Sequence, residues 1–175
     1  MVLSLFRKPV ATEPVFAVYA DIVAQSRQPR FYADWGVPDT VTGRFDMITL
    51  HLALRFRRLR REGKAARDFS QALFDLFFKD MDRSLREMGA GDLAVPKKIR
   101  KMGNIFYGLL ASLDTALTSN DVGAVEAVLR RNIYAERGDV DARPLAGYVV
   151  AEAASLGAQP TPALMIGAVQ PGRAA

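Results

Sequence analysis

His51 is the single histidine of the chain, so proton-transfer chemistry has one natural base, and Asp34, Asp39 and Asp46 are the carboxylates near enough in sequence to orient it. The surroundings argue for a different role. His51 stands within an apolar helical run, and no serine or threonine sits in a recognisable nucleophile turn, so a structural hydrogen-bonding histidine is the favoured expectation. Cysteine is absent, which excludes a thiolate nucleophile, a disulfide framework and a cysteine zinc site, and points to a reducing compartment. Asp75, Asp80 and Asp82 share one helix without the glycine-centred loop that calcium needs, and read as a solvated face. Gly103-Asn104-Ile105-Phe106-Tyr107-Gly108 lacks the spacing and lysine of a phosphate loop. Its two glycines read as close-packing positions that let another helix approach. No catalytic residue and no metal ligand is assigned.

Charge is the stronger pattern. The 175 residues hold 24 Lys and Arg against 19 Asp and Glu, with a net charge of +5. That excess is segregated: Arg55, Arg57, Arg58, Arg60, Arg61, Lys64 and Arg67 face only Glu62, and Lys97, Lys98, Arg100 and Lys101 form a second group, while the stretch between them is net acidic. A basic helix end suits lipid or RNA phosphates, or an acidic protein surface. Cations near a helix C-terminus are also favourable for purely structural reasons, so the two explanations stand level.

These residues must be positioned by helices, because apolar spacing follows a helical period throughout and no alternating strand pattern occurs. The spacing predicts an all-α fold, a single compact bundle of about six to seven helices, with a flexible N-terminus over 1–13, a helical domain over 14–157 and an irregular tail over 158–175. The first residues, MVLSLFRKP, lack the order of a secretory signal, and the prolines after Ala153 interrupt the longest uncharged window. Helices are expected from Pro14 toward Pro29, from Thr42 to Arg61, from Lys64 to Met88, from Pro96, from a cap at Asn120 or Asp121, and from a cap at Asp141. A short aromatic piece, Phe31 to Trp35, precedes the break at Gly36-Val37-Pro38. Leu164-Met165-Ile166 is expected to dock loosely. The helix over 42–61 is apolar on two sides: Phe45, Ile48, Leu52, Phe56 and Leu59 form one stripe, and Met47, Leu50 and Leu54 another. It is either the central element of the bundle, the favoured reading, or one offering its second face to a partner.

The run FYADWGVPDTVTGRFDMITLHLALRFRRL, from Phe31 to Leu59, resembles the ubiquinol-cytochrome c chaperone family. The resemblance continues through Phe74-Asp75, Asp80-Met81-Asp82, Leu85 to Asp92, Lys97-Lys98, Phe106-Tyr107-Gly108 and Leu129 to Tyr134, and covers about residues 15–135. It implies a non-enzymatic helical assembly factor, of bacterial type, that handles newly made cytochrome b before it joins the cytochrome bc1 complex. No cofactor, catalytic set or DNA partner is implied, and contact with a ribosome or small partner protein is left open. The expected location is the cytoplasm, at the periphery of the cytoplasmic face of the inner membrane. Expected client contacts are Phe31, Tyr32, Trp35, Asp39, Arg44, Met47, Leu50, His51 and Leu54. Expected anionic-surface contacts are Arg57, Arg58, Arg61, Lys64, Lys97, Lys98 and Lys101. Two alternatives stand beside this reading: a carrier enclosing a lipid, quinone or haem among Phe74, Phe77, Phe78, Phe106 and Tyr107, and an RNA-binding protein using the basic helix end.

Overall fold

The structure, a computed structural model, is described for residues 12–135 and 138–167. The expected disorder of residues 1–11 and the last part of the expected tail lie outside the described residues. Six helices of at least eleven residues make the body: α1 (Glu13–Ser26), α3 (Val41–Leu59), α4 (Lys64–Glu87), α5 (Val95–Thr118), α6 (Val122–Asn132) and α7 (Arg143–Ala158). Two short ones, α2 (Pro29–Ala33) and α8 (Thr161–Leu164), lie between α1 and α3 and after α7.

Local chemistry explains where these helices begin. Proline occupies an early position in α1, α2, α5, α7 and α8, where its missing N–H leaves nothing unsatisfied. Thr40 caps α3, its hydroxyl accepting from Gly43 N at 3.1 Å, and Asp121 caps α6 by accepting from Ala124 N at 3.0 Å. Asp141 accepts from Arg143 N at 3.0 Å, at the start of α7.

The Trp35-to-Gly43 stretch is a steric device. Gly36 has φ +69°, and a Cβ there would lie 2.9 Å from Val140 Cγ1. A Cβ on Gly43 would lie 1.9 Å from the carbonyl oxygen of Pro38, which already accepts from Thr40 N at 2.9 Å. Glycine at 43 is what lets the turn fold back onto the first turn of α3.

α3 is the centre of the bundle and packs against α1, α4, α5 and α7. Every residue from Met47 to Arg55 is buried, so the second apolar face expected for a partner is covered from within. The physical reason is the number of neighbours: a helix surrounded on four sides has no side left for solvent. The tail is also tighter than expected. α7 runs to Ala158, Leu164 is completely buried, and its carbonyl accepts from Arg55 Nη1 at 3.2 Å, although Ile166 remains exposed. No helix among the described residues is long and apolar enough to cross a membrane.

Candidate functional site

The histidine is fully bonded inside the core. His51 Nδ1 lies 2.7 Å from Met47 O, which can only accept, so Nδ1 carries the proton. Nε2 then accepts from the Tyr148 hydroxyl at 2.7 Å, and that oxygen accepts from Gln25 Nε2 at 2.8 Å. Burial pushes the imidazole down to about 4, so it is neutral at ordinary pH. Phe31, Trp35 and Tyr148 pack edge-on or tilted around one another, and the Arg30 guanidinium sits 5.1 to 5.4 Å from their ring centres. This aromatic knot joins α2, α3 and α7. Neither Asp34, Asp39 nor Asp46 is a partner of the ring.

The first basic group is largely spent on the fold. Arg55 is buried beneath α8. Arg58 donates to Leu156 O and Gln159 O, both at 3.1 Å, to Thr161 Oγ1 at 3.3 Å, and pairs with Glu62. It closes the carbonyl end of α7. Arg57 pairs with Asp114 at 3.1 Å, and Arg60 binds the same carboxylate. Lys64 pairs with Asp68, while Arg61 is exposed without an ion pair to a described residue. Arg57 and Arg58, expected at an anionic surface, have intramolecular partners in this structure: they serve helix ends and a carboxylate of α5, and their position at the C-terminal end of α3 also suits its dipole.

A different place is open. The N-terminal half of α3, the C-terminal half of α4 and the first half of α5 diverge to leave a groove of about 400 Å³. Its walls are mostly apolar: Phe45 and Ile48 from α3, Met81, Leu85 and Met88 from α4, and Met102 and Ile105 from α5. Phe45 is held by stacking on Phe77, with ring centres 5.6 Å apart. Val41, Met88 and Ile105 stand exposed along its edge at 64%, 54% and 37%, an apolar rim that the fold leaves uncovered. Arg27, Arg44, Lys98 and Lys101 border it. Asp46 also lines the groove, and burial alone pushes its carboxyl up to about 7.

Of the expected client contacts, the structure brings only Arg44 to this groove. Tyr32 and Asp39 line a neighbouring depression that shares Arg27 and Arg44 with it, and Asp39 pairs with Arg44 at 2.7 Å. Trp35 is half-buried, while Phe31, Met47, Leu50, His51 and Leu54 are interior. In this structure those five present no surface, because α1, α4, α5 and α7 already occupy it. The aromatic residues considered as a ligand cage pack on one another: Phe74 lies 4.5 Å from Phe78, 5.3 Å from Phe106 and 5.6 Å from Tyr107, ring centre to ring centre. Gly108 is open rather than closely packed, since a Cβ there would meet nothing within 4 Å. Sequence reasoning missed Val41, Phe45, Met88 and Ile105 as a group because they come from three helices.

The similarities to known proteins agree with this architecture. The chain superimposes on the crystal structure of the Cbp3 homolog from Brucella abortus with a TM-score of 0.82 and 40% identity, over 90% of this chain and 87% of that one. Ubiquinol-cytochrome-c reductase complex assembly factor 1 of Xenopus laevis is 25% identical over 122 residues, 70% of this chain and 60% of the relative. The assembly factor of the same name from Mus musculus is 24% identical over 113 residues, 65% of this chain and 38% of the relative. The chain thus spans between 38% and 60% of the length of these curated relatives. The family model described as ubiquinol-cytochrome C chaperone matches residues 33–171, so groove, aromatic knot and buried arginines all fall inside or beside the matched region, and the chain belongs to the ubiquinol-cytochrome c chaperone family.

Proposed function

We propose that this protein is an assembly chaperone for ubiquinol-cytochrome c reductase that receives newly made cytochrome b in the α3–α4–α5 groove. The observation that carries the reading is the groove itself: an apolar channel with exposed Val41, Met88 and Ile105 along its edge, in a member of this family. A chaperone for a multi-span membrane subunit needs to shield apolar client surface reversibly. An open groove with partly exposed walls does this better than a closed cavity. The contacts in this proposal are Val41, Phe45, Met88 and Ile105 with the bordering Arg44, and Tyr32 and Asp39 in the adjoining depression. His51 and the buried face of α3 hold the groove's walls in place. The protein works without chemistry of its own, at the periphery of the cytoplasmic membrane face.

The test is site-specific photo-crosslinking in cells that assemble the bc1 complex. Probes at Met88 and Ile105 are expected to capture cytochrome b, and a probe at Phe16, exposed on α1 outside the groove, is not. Folded, abundant protein that crosslinks no cytochrome b from the groove positions overturns the proposal. So does normal spectrally detected cytochrome b in a deletion strain.

A further inference from the structure

We infer that the corner where α4 meets α5 is a docking surface for an anionic lipid bilayer, with Leu93 and Met88 entering the interface and Lys97, Lys98, Arg100 and Lys101 meeting the phosphates.

The two basic groups seen in the sequence look alike as charge counts, yet the fold treats them oppositely. The arginines of α3 stand at a helix C-terminus and bind carbonyls and carboxylates. The cations of α5 stand in its first two turns, next to the positive end of the helix dipole, where they work against helix stability. Nothing local offsets this: α5 has no side-chain cap and no acidic residue in its first turn. None of the four pairs with a described carboxylate, and all four are exposed. Helical spacing puts Lys97, Lys98, Arg100 and Lys101 on one broad face, while Ile99 and Met102 turn inward to the core. A cluster that costs the helix stability and has no carboxylate partner among the described residues suits an external anion.

The apolar neighbours decide which anion. Leu93, in the turn before α5, is 89% exposed, the largest exposure among the large hydrophobic side chains described, and Met88 at the end of α4 is 54% exposed. The carboxylates beside them are muted, because Arg86 binds both Asp82 and Asp92. Protruding apolar side chains next to an unpaired cationic face match a bilayer interface, where acyl chains lie directly under phosphates. A nucleic acid has no use for Leu93, and an acidic protein surface would leave it in water. Lys98 and Lys101 border the groove as well, so docking here sets the groove mouth at the membrane.

The assay is co-sedimentation of the full chain with vesicles, and it needs no client, so its failure and that of the client reading are separable. Vesicles of phosphatidylcholine with about one-third phosphatidylglycerol are expected to bind the protein, and pure phosphatidylcholine is not. Each cation near the surface contributes about fivefold. The combined Lys97→Gln, Lys98→Gln, Arg100→Gln and Lys101→Gln variant should therefore lose a hundredfold or more, and Leu93→Asp at least tenfold. The control, Arg61→Gln with Lys64→Gln, removes exposed charge from the opposite end of the charge pattern and should bind as the parent does. Circular dichroism of these exposed-site variants should be unchanged. Equal binding to neutral vesicles, equal losses in control and corner variants, or retention on RNA with no vesicle binding each overturns the proposal.

Discussion

Replacing Asp46 by asparagine should reveal two opposed titrations inside this small protein. Asp46 lines an apolar wall, and its carboxyl is held at about 7 against an ordinary 3.8. The folded state then binds a proton that the unfolded state has released, so stability is present below pH 3.8 and lost as pH rises through 7. Wholly shielded, the loss would be roughly 4 kcal/mol, and about 1 to 2 kcal/mol remains after allowing for the open side of the groove. His51 runs the other way. Its pKa of about 4 lies below the ordinary 6.5, so its contribution is complete above pH 6.5 and lost as pH falls through 4. For a side chain so fully enclosed, the part between pH 6.5 and 4.5 is about 2.5 kcal/mol. Asp39, Glu62 and Asp141 are held below their ordinary values by arginines, so their contributions change only at lower pH. Urea unfolding from pH 4.5 to 8 should give a shallow dependence for the parent, because the two slopes oppose. Asp46→Asn should be more stable at pH 8 by about 1 to 2 kcal/mol and should fall more steeply on acidification. Curves that run parallel across that range, or equal stability at pH 8, refute the reasoning.

Gly43→Ala should lose at least about 3 kcal/mol or fail to fold, since its Cβ would overlap the Pro38 carbonyl; a thermal shift of only a few degrees would contradict the geometry. Gly108→Ala, on the open side of α5, should raise stability by about 0.5 to 1 kcal/mol in calorimetry. Arg58→Ala should cost about 2 to 3 kcal/mol in chemical unfolding because two carbonyls of the α7 end lose a charged donor, whereas Lys98→Ala should change stability by less than about 0.5 kcal/mol.

Much of the fold was legible because burial repeats at the helical period. Val15, Val18 and Ile22 of α1, and Phe106, Leu110 and Leu113 of α5, are buried as their spacing predicts, and Pro14, Pro96 and Asp121 mark helix starts as expected. His51 was legible as structural from its apolar flanks. The site was less so. A run of cations in sequence does not say which carbonyl ends return to it in space, and Arg58 meets Leu156 across 98 positions. Two apolar faces on α3 fit both a centre and a platform, and the count of packed neighbours, which sequence does not carry, decides for the centre. The groove is written in three separate stretches whose common feature, apolar residues left uncovered, exists only after the helices are assembled. Asp46 gave one readable signal, a carboxylate between Phe45 and Met47 on a helix that is apolar on two sides.

The arginines beneath α8 bear on how the molecule comes to be made. Arg55 waits for the carbonyl of Leu164, 109 positions later, and Arg58 for those of Leu156 and Gln159. During synthesis from the N-terminus, α1 to α5 can assemble around α3 while these guanidinium groups are still hydrated. The core then closes only when α7 and α8 have emerged from the ribosome, and a chain cut short before Thr161 would leave the Arg55 guanidinium without the Leu164 carbonyl that receives it. The last helices thereby act as a completion check, confining the closed fold to chains translated through that segment.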